Sequence, residues 1–288
     1  MTKSPLVSIG LPVYNGALFV EEAVASLLAQ TFTDFELIIV DNASTDGTDM
    51  KCLRLAKQDD RIRFVRNASN IGAAANFNKA FYLSTGTYFK WAAADDVCLP
   101  AFLERCVDIL ETDPKAVLAF PDPRFINDDG SDLPYSGEHE AFIDRNGKKW
   151  YWRTTDRHRL SAYKPIERFD QILLGTYVCQ EIFGLIRRDA LEGTPLIADY
   201  YGSDKVLLAE LSLKGRLRRV PETLFVRRCH SGQSGYKSAA ERERWITGSR
   251  ARKVSFAQWK ILRGYATALA RAPLPAADKA RGLTVLYR

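Results

Sequence analysis

Short runs of β-branched and aliphatic residues alternate with amphipathic stretches through the first half of the chain, the pattern of a parallel sheet with helices on both faces. Residues 7–11 read as the first strand, and 35–40 as a strand of the fully buried kind. Between them, 18–29 reads as a helix with Val20, Val24, Leu27 and Leu28 on one side. A third strand is expected at 62–65, a helix at 73–83 that groups Phe77, Ala80 and Phe81, a fourth strand at 88–92, and a further one at 117–120. From about 121 to 175 the alternation lapses. There Phe142, Trp150, Tyr151, Trp152 and Tyr163 read either as a small core beneath a long loop or as faces on which sugar rings stack.

Polar residues collect where these strands end: Tyr14 and Asn15 after the first, Asp41 and Asn42 after the second, Asn67 and Asn70 after the third, Asp95 and Asp96 after the fourth. That edge is where open α/β sheets bind ligands. Two adjacent carboxylates repel and raise one another's pKa, so Asp95 and Asp96 make sense beside a cation or a hydrogen-bonding ligand. Such an oxygen-rich place suits Mg²⁺ or Mn²⁺ bridging to a diphosphate. The alternative is a solvated loop capping a helix that starts near Pro100. No GxGxxG or GxxxxGK[ST] run occurs, which argues against a dinucleotide or P-loop cradle.

At 288 residues, without a low-complexity linker or an internal repeat, the chain fits one sizeable domain with an appendage. Five cysteines without CxxC spacing argue against a disulfide framework and a zinc knuckle, and point to a reducing cytoplasm. No leader opens the chain and no apolar run approaches the roughly 20 residues that span a bilayer, so a soluble or peripheral protein is expected. Charge is uneven. From Tyr236 onward there are 12 Lys or Arg against three acids, which is +9; the total is +6, leaving −3 for residues 1–235. We therefore divide the chain into a body, 1–235, and a basic C-terminal helical extension, 236–288.

The residues Val7-Ser8-Ile9-Gly10-Leu11-Pro12-Val13-Tyr14-Asn15, Leu37-Ile38-Ile39-Val40-Asp41-Asn42-Ala43-Ser44-Thr45-Asp46-Gly47-Thr48, Asn70-Ile71-Gly72 and Ala94-Asp95-Asp96 together resemble glycosyltransferase family 2. Gly202-Ser203-Asp204-Lys205 and Val220-Pro221-Glu222-Thr223-Leu224 extend the likeness to about residue 232. The resemblance implies a GT-A (Rossmann-like) α/β fold: a mostly parallel sheet with helices on both faces. It implies that Pro12, Tyr14 and Asn15 form a first nucleotide loop, Tyr14 stacking on a base. Asp41 would accept a hydrogen bond from the imide N–H of uracil or thymine, and Asn70 and Gly72 would form a further nucleotide loop, Gly72 allowing close backbone approach. The structural counterpart for Asp41 is a cap for a helix near Thr45. Asn76 and Asn78 read as solvated helix positions.

Family members usually carry Asp-x-Asp as the metal motif; here the positions read Ala93-Ala94-Asp95, so the first acid is missing. The resemblance assigns Asp95 to the metal and diphosphate and Asp96 to the sugar or the loop. Metal binding is expected to be weak and dependent on the donor, because Mg²⁺ takes much of its coordination from phosphates. His230, in Arg227-Arg228-Cys229-His230, is expected near the diphosphate as a metal ligand or phosphate donor, with Arg227 or Arg228 neutralising leaving-group charge. Asp204 is the candidate base that takes a proton from an acceptor hydroxyl, with inversion at the anomeric carbon. Gln180 and Glu181 are candidate contacts to the sugar or acceptor.

Within the tail, 253–271 reads as a helix with Trp259, Leu262, Tyr265, Ala266 and Leu269 on one side and Lys253, Lys260, Arg263 and Arg271 opposite. Such a helix either lies on an anionic bilayer or packs on the body. The expected activity is sugar transfer from a UDP- or dTDP-sugar to a hydroxyl of a glycan or lipid-linked glycan in surface polysaccharide or glycolipid assembly. The expected place is the cytoplasm, free or peripheral at the inner face of the membrane. Competing readings are a nucleotidyltransferase that releases pyrophosphate and a sugar-nucleotide-binding module without catalysis. Confinement of positive charge to the tail argues against a nucleic-acid partner.

Overall fold

The computed structural model describes residues 4–151, 160–176, 179–248 and 257–286. Trp152 and Lys253 lie outside the described residues. The first half alternates as the apolar periodicity requires: β1 (Val7–Val13), α1 (Val20–Leu28), β2 (Phe35–Asp41), α2 (Thr48–Gln58), β3 (Ile62–Arg66), α3 (Ala73–Tyr82) and β4 (Tyr88–Trp91). A short β5 (Val97–Cys98) precedes α4 (Phe102–Thr112) and the long β6 (Ala116–Asn127). The sheet runs β3-β2-β1-β4, and β1, β2 and β3 are parallel, as is β4 to β1. Every residue of β1 is buried, as a central strand covered on both faces must be.

The small strands β7 (Tyr135–Ser136), β8 (Ala141–Ile143) and β9 (Lys149–Trp150) form a separate three-stranded sheet. After α5 (Pro165–Gly175) and a 3₁₀ turn at Gln180–Phe183 come β10 (Leu185–Arg187), α6 (Arg188–Leu191), α7 (Ser203–Lys214) and β11 (Arg216–Cys229). The eight-stranded sheet finishes β4-β10-β6-β11-β5, with β10 and β5 the antiparallel members. This is the GT-A, Rossmann-like arrangement expected from the sequence. Strand β6 runs seven residues past its predicted end, through Pro121 and Pro123. It can do so because β10 pairs with it only at Leu118 and Ala119. Beyond that point one edge of β6 carries no ladder, and proline removes nothing there.

One core fills the α1, α2 and α4 side of the sheet; the other fills the α3, α5 and α7 side and continues under the small sheet. Phe142 and Trp150 belong to that second core with Phe125, whose ring lies 5.0 Å from Phe142, so the 121–175 region is in part a satellite core. Tyr163 is exposed.

Among the described residues, three α-helices follow β11: α8 (Ala239–Thr247), α9 (Ala257–Arg271) and α10 (Ala276–Val285). In α9, Tyr265, Ala268 and Leu269 are buried in the second core, while Trp259 and Leu262 remain exposed. Lys260 pairs with Asp199 at 3.8 Å and Arg271 with Glu210 at 2.9 Å. The helix therefore packs on the body along the part of its apolar stripe nearer its C-terminus. Helix α8 meets the loop before α3 through a glycine pair. Gly72 has φ 87° and ψ 157°, a region essentially reserved for glycine, and a Cβ there would lie 2.5 Å from the carbonyl carbon of Thr247 and 2.6 Å from the Gly248 nitrogen. The close approach that Gly72 permits is thus to the backbone of α8. Gly72→Ala should destabilise the fold by about 2–4 kcal/mol, from backbone strain plus the clash. A thermal melt should show a drop of about 5–10 °C for a chain of this size.

Candidate functional site

The acidic loop follows β4 directly, and its two carboxylates are held apart by different partners. Asp96 is buried and accepts the backbone N–H of Arg228 at 3.0 Å. Asp95 keeps a quarter of its side chain exposed. Its Oδ2 lies 3.0 Å from His230 Nε2 and 3.0 Å from the donating amide of Gln233. Nδ1 of His230 accepts the Gly232 N–H at 3.2 Å, so the ring proton sits on Nε2 and is donated to Asp95.

These partners set opposite titrations. Burial alone would raise the pKa of Asp95, but the hydrogen bonds from His230 and Gln233 and the Arg227 charge outweigh it and hold it below the ordinary value. Burial first, then the negative charge of Asp95, push Asp96 well above the usual carboxylate range. One carboxylate is thus anionic and reachable, and the other is a buried brace.

The sequence left open whether Arg227 or Arg228 faces a leaving group. Arg228 is 3% exposed and fully engaged: it donates to the carbonyls of Asp95 (3.2 Å) and Asp128 (3.1 Å) and pairs with Glu22 at 2.6 Å. Arg227 instead lines a cavity of about 740 Å³ whose walls include Pro12, Tyr14, Asn15, Asn70, Asp95, Asp96 and His230. Its guanidinium forms no ion pair with a described residue and stands 5.1 Å from the centroid of the Trp150 ring.

The nucleotide-loop candidates divide. Tyr14 is 44% exposed and lines the cavity wall. Asn15 also lines the wall, its φ of 51° stabilised by its backbone N–H to Ser44 Oγ and by the Thr45 N–H to its own Oδ1, both 2.9 Å. Asp41, by contrast, is 0% exposed and off the wall. Both its oxygens accept the Ser44 N–H at 3.2 Å, and Arg66 lies 3.3 Å away. It does not cap α2; Asp46 serves that end by accepting the Thr48 N–H at 3.1 Å. Gly72 is also off the wall, being packed on α8.

An amide chain sets this rim. Asn70 accepts from Asn42 (2.9 Å), Asn42 accepts from Asn67 (3.0 Å), and Asn67 donates to Asn76 (2.8 Å), which donates to the Val40 carbonyl (2.9 Å). Asn76 is therefore buried and structural rather than solvated, because its amide closes the end of β2. Asn78 is likewise engaged, bonding Ile197 in both directions at 2.9 and 3.0 Å.

Asp204 sits in the first turn of α7, after Gly202 in the left-handed conformation. It does not line the cavity, yet it lies within electrostatic reach of Arg227, as do Asp95 and Asp96. Burial raises its pKa above the ordinary Asp value. Gln180 and Glu181 are buried in the 3₁₀ turn whose Phe183 reaches the cavity. Sequence reasoning missed Phe77, Gln233, Lys237, Arg244 and Trp245 as wall residues. The last three lie beyond residue 235, so the tail contributes directly to the site. Only their shared basic and aromatic character hinted at it.

Residues 8–194 match the family described as Glycosyl transferase family 2, and the chain belongs to that family. Relatives that the chain matches, of some of which it spans only about a fifth, are named as glycosyltransferases. An uncharacterized glycosyltransferase of Haemophilus influenzae is 27% identical over 241 residues, covering 81% of this chain and 68% of that protein. One of Rickettsia felis is 36% identical over 132 residues, covering 46% of this chain but 22% of that protein. Among solved structures, S. aureus TarS 1–349 with UDP-GlcNAc aligns with a TM-score of 0.66 at 16% identity, covering 98% of this chain and 71% of that one. The Pyrobaculum calidifontis mannosyltransferase PcManGT, with GDP-Man and Mn²⁺, aligns at 0.57 and 19% identity, covering 99% and 76%. At these identities the two structures share the fold.

The raised pKa of Asp96 has a measurable consequence. Its folded form keeps the proton to about pH 7, against 3.8 for an ordinary Asp, so its contribution to stability declines as pH rises through that window. Asn in its place can still accept the Arg228 N–H but cannot ionise. The stability of Asp96→Asn relative to wild type should therefore rise between pH 4 and pH 8, as measured by urea unfolding across that range; a constant difference would contradict the assignment.

Proposed function

We propose that this chain moves a sugar from a nucleoside diphosphate donor to an acceptor hydroxyl with inversion, using Asp204 as the base. The observation that carries the reading is the position of Arg227, a guanidinium on the cavity wall with no ion pair to a described residue and within electrostatic reach of Asp95, Asp96 and Asp204 together. A cation so placed can meet a diphosphate beside the partly exposed Asp95.

Tyr14 offers a stacking face to the base, and Asn15 and Asn70 border the ribose side. Pro12 belongs to the same wall. Preference for UDP or dTDP rests on Asp41, whose carboxylate would meet a base imide only after the half-exposed Arg66 guanidinium moves aside. The donor's diphosphate would lie against Arg227 and His230, whose Nε2–H can turn from Asp95 to a phosphate oxygen. Asp204 would take the acceptor proton as that oxygen attacks the anomeric carbon, and the nucleoside diphosphate would leave toward Arg227.

Asp95 is the side chain suited to hold Mg²⁺ or Mn²⁺, and His230 would join it only in the tautomer that frees Nε2 of its proton. Among the described residues no three His, Cys, Asp or Glu side chains cluster as a metal site, and Ala93 stands where a second acid would stand. That set fits an ion completed by donor phosphates. Such an ion would offset diphosphate charge. Acceptors are glycans or lipid-linked glycans of surface polysaccharide or glycolipid assembly, met in the cytoplasm or at the inner membrane face. No described helix is long and apolar enough to cross a membrane. The exposed Trp259 and Leu262, beside Arg263, are the part of 253–271 left to touch an anionic bilayer.

Asp204→Asn should lower turnover by about 10²-fold or more while leaving nucleotide affinity intact, since a base acts in the chemical step. Released nucleoside diphosphate and isothermal titration measure the two; retained turnover would remove Asp204 from this role. Calorimetric titration of Mn²⁺ should show little uptake by free protein and clear uptake with nucleotide present.

A further inference from the structure

The turn that carries Asp204 makes few hydrogen bonds of its own. The Tyr200 N–H (2.9 Å) and Ser203 Oγ (3.0 Å) donate to the Ala198 carbonyl, and the Ser203 N–H donates to that of Tyr200 (3.3 Å). Gly202 then enters α7 at φ 91°, and no side chain caps the helix. The Asp204 carboxylate accepts only the neighbouring Lys205 N–H, at 2.9 Å. With its first turn uncapped, the start of α7 takes its direction from what packs against it.

That packing comes from α9. Ile261 lies against Gly202, where a Cβ would stand 3.0 Å from Ile261 Cδ1. One turn further along α9, a Cβ on Gly264 would stand 2.8 Å from both the Tyr200 hydroxyl and Val206 Cγ1. Glycine inside a helix is disfavoured relative to alanine, and the close approach of α9 to α7 is the reason for one here. Tyr265 adds a buried ring, edge-on to Phe169 at 6.1 Å. Burial first, then the charges of Cys179 and Asp204, raise its pKa, so α9 stands within electrostatic reach of Asp204. Ion pairs hold both ends of the contact, Lys260 to Asp199 just before the turn and Arg271 to Glu210 along α7. No described residue of α9 lines the cavity.

We propose that Ile261 and Gly264 are positioning residues for Asp204: the tail helix α9 fixes the turn that presents the base to the acceptor hydroxyl. This rests on the reading above, in which Asp204 is the base. A misplacement of about 1 Å at such a group can cost on the order of 10²-fold in rate, so the packing of a helix that touches no ligand is felt in turnover.

The test uses the full chain and whichever UDP-, dTDP- or GDP-sugar it hydrolyses. Water is the acceptor: its oxygen bonds to the anomeric carbon, the bond from that carbon to the diphosphate oxygen breaks, and the water proton passes to Asp204. Ile261→Ala and Gly264→Ala should each lower kcat by about tenfold, with nucleoside diphosphate affinity within about twofold of wild type. Ile261→Val should restore most of the rate. Gly282→Ala is the control for stability alone, since a Cβ there would lie 2.5 Å from Leu269 Cδ2, away from the turn; it should lower the melting temperature and leave kcat within about twofold.

A second readout needs no substrate. The groups facing Asp204 are Arg227 from β11, Lys205 of its own helix, Cys179 before the 3₁₀ turn, Tyr201 in the turn and Tyr265 from α9. Burial raises the pKa of Asp204, so opening the α9 contact in Ile261→Ala should move it down toward the ordinary 3.8, read by carboxyl ¹³C NMR with the signal assigned from Asp204→Asn. Gly282→Ala should leave it in place. Full turnover in both α9 variants, an equal loss in Gly282→Ala, or an Asp204 titration that neither α9 variant moves would overturn the proposal. Retained turnover in Asp204→Asn would remove the base and this inference together; an inactive Asp204→Asn beside unimpaired α9 variants would remove the inference alone.

Discussion

Arg228 is the point on which the site depends. A buried guanidinium is expensive unless every donor is used, and this one is spread over the acidic loop, the end of β6 and helix α1 through Asp95, Asp128 and Glu22. Its own backbone N–H holds Asp96. Two neighbouring carboxylates can then coexist at the end of β4, one neutralised by burial and a hydrogen bond, the other turned outward. The preceding residue of β11, pointing the other way because strand side chains alternate, is Arg227, which forms no ion pair with a described residue. A single strand end thereby supplies both the buried cation and the cavity-facing one.

That alternation explains the electrostatics of the cavity. Arg227 lowers the cost of negative charge on Asp95 and Asp204 without being neutralised by either, since Trp150 supports it from the small sheet. The segment that interrupts the βα repeat thus meets a cavity-lining side chain through the Trp150 ring. Trp150 is itself fixed by its Nε1–H to Asp144 at 2.8 Å, and the Tyr236 hydroxyl meets the same carboxylate. The tail meets the body closely: Tyr236 braces the small sheet while Lys237, Arg244 and Trp245 line the cavity.

Much of the fold was legible because a two-residue alternation and a 3.6-residue period each require a different burial geometry. Strands β1 to β4 and helices α1 and α3 fall within a few residues of their expected places. What was not legible came from partners distant in sequence. Pro121 and Pro123 sit inside β6 because β10 is too short to reach them, and Asn76 is buried because it completes an amide chain begun at Asn70. Asp41, plausible as a ligand contact from its neighbours in sequence, is closed off by Arg66, which comes from β3.

By itself the sequence determined the parallel sheet, the polar residues at its carboxyl edge and the family, because these follow from local periodicity and short contiguous motifs. Only the tertiary structure decided which of two adjacent arginines is buried, which of two adjacent aspartates is ionised, and that the tail completes the cavity. Those outcomes turn on desolvation and on charges brought together across more than a hundred residues of chain, and neither quantity is defined until the backbone has closed.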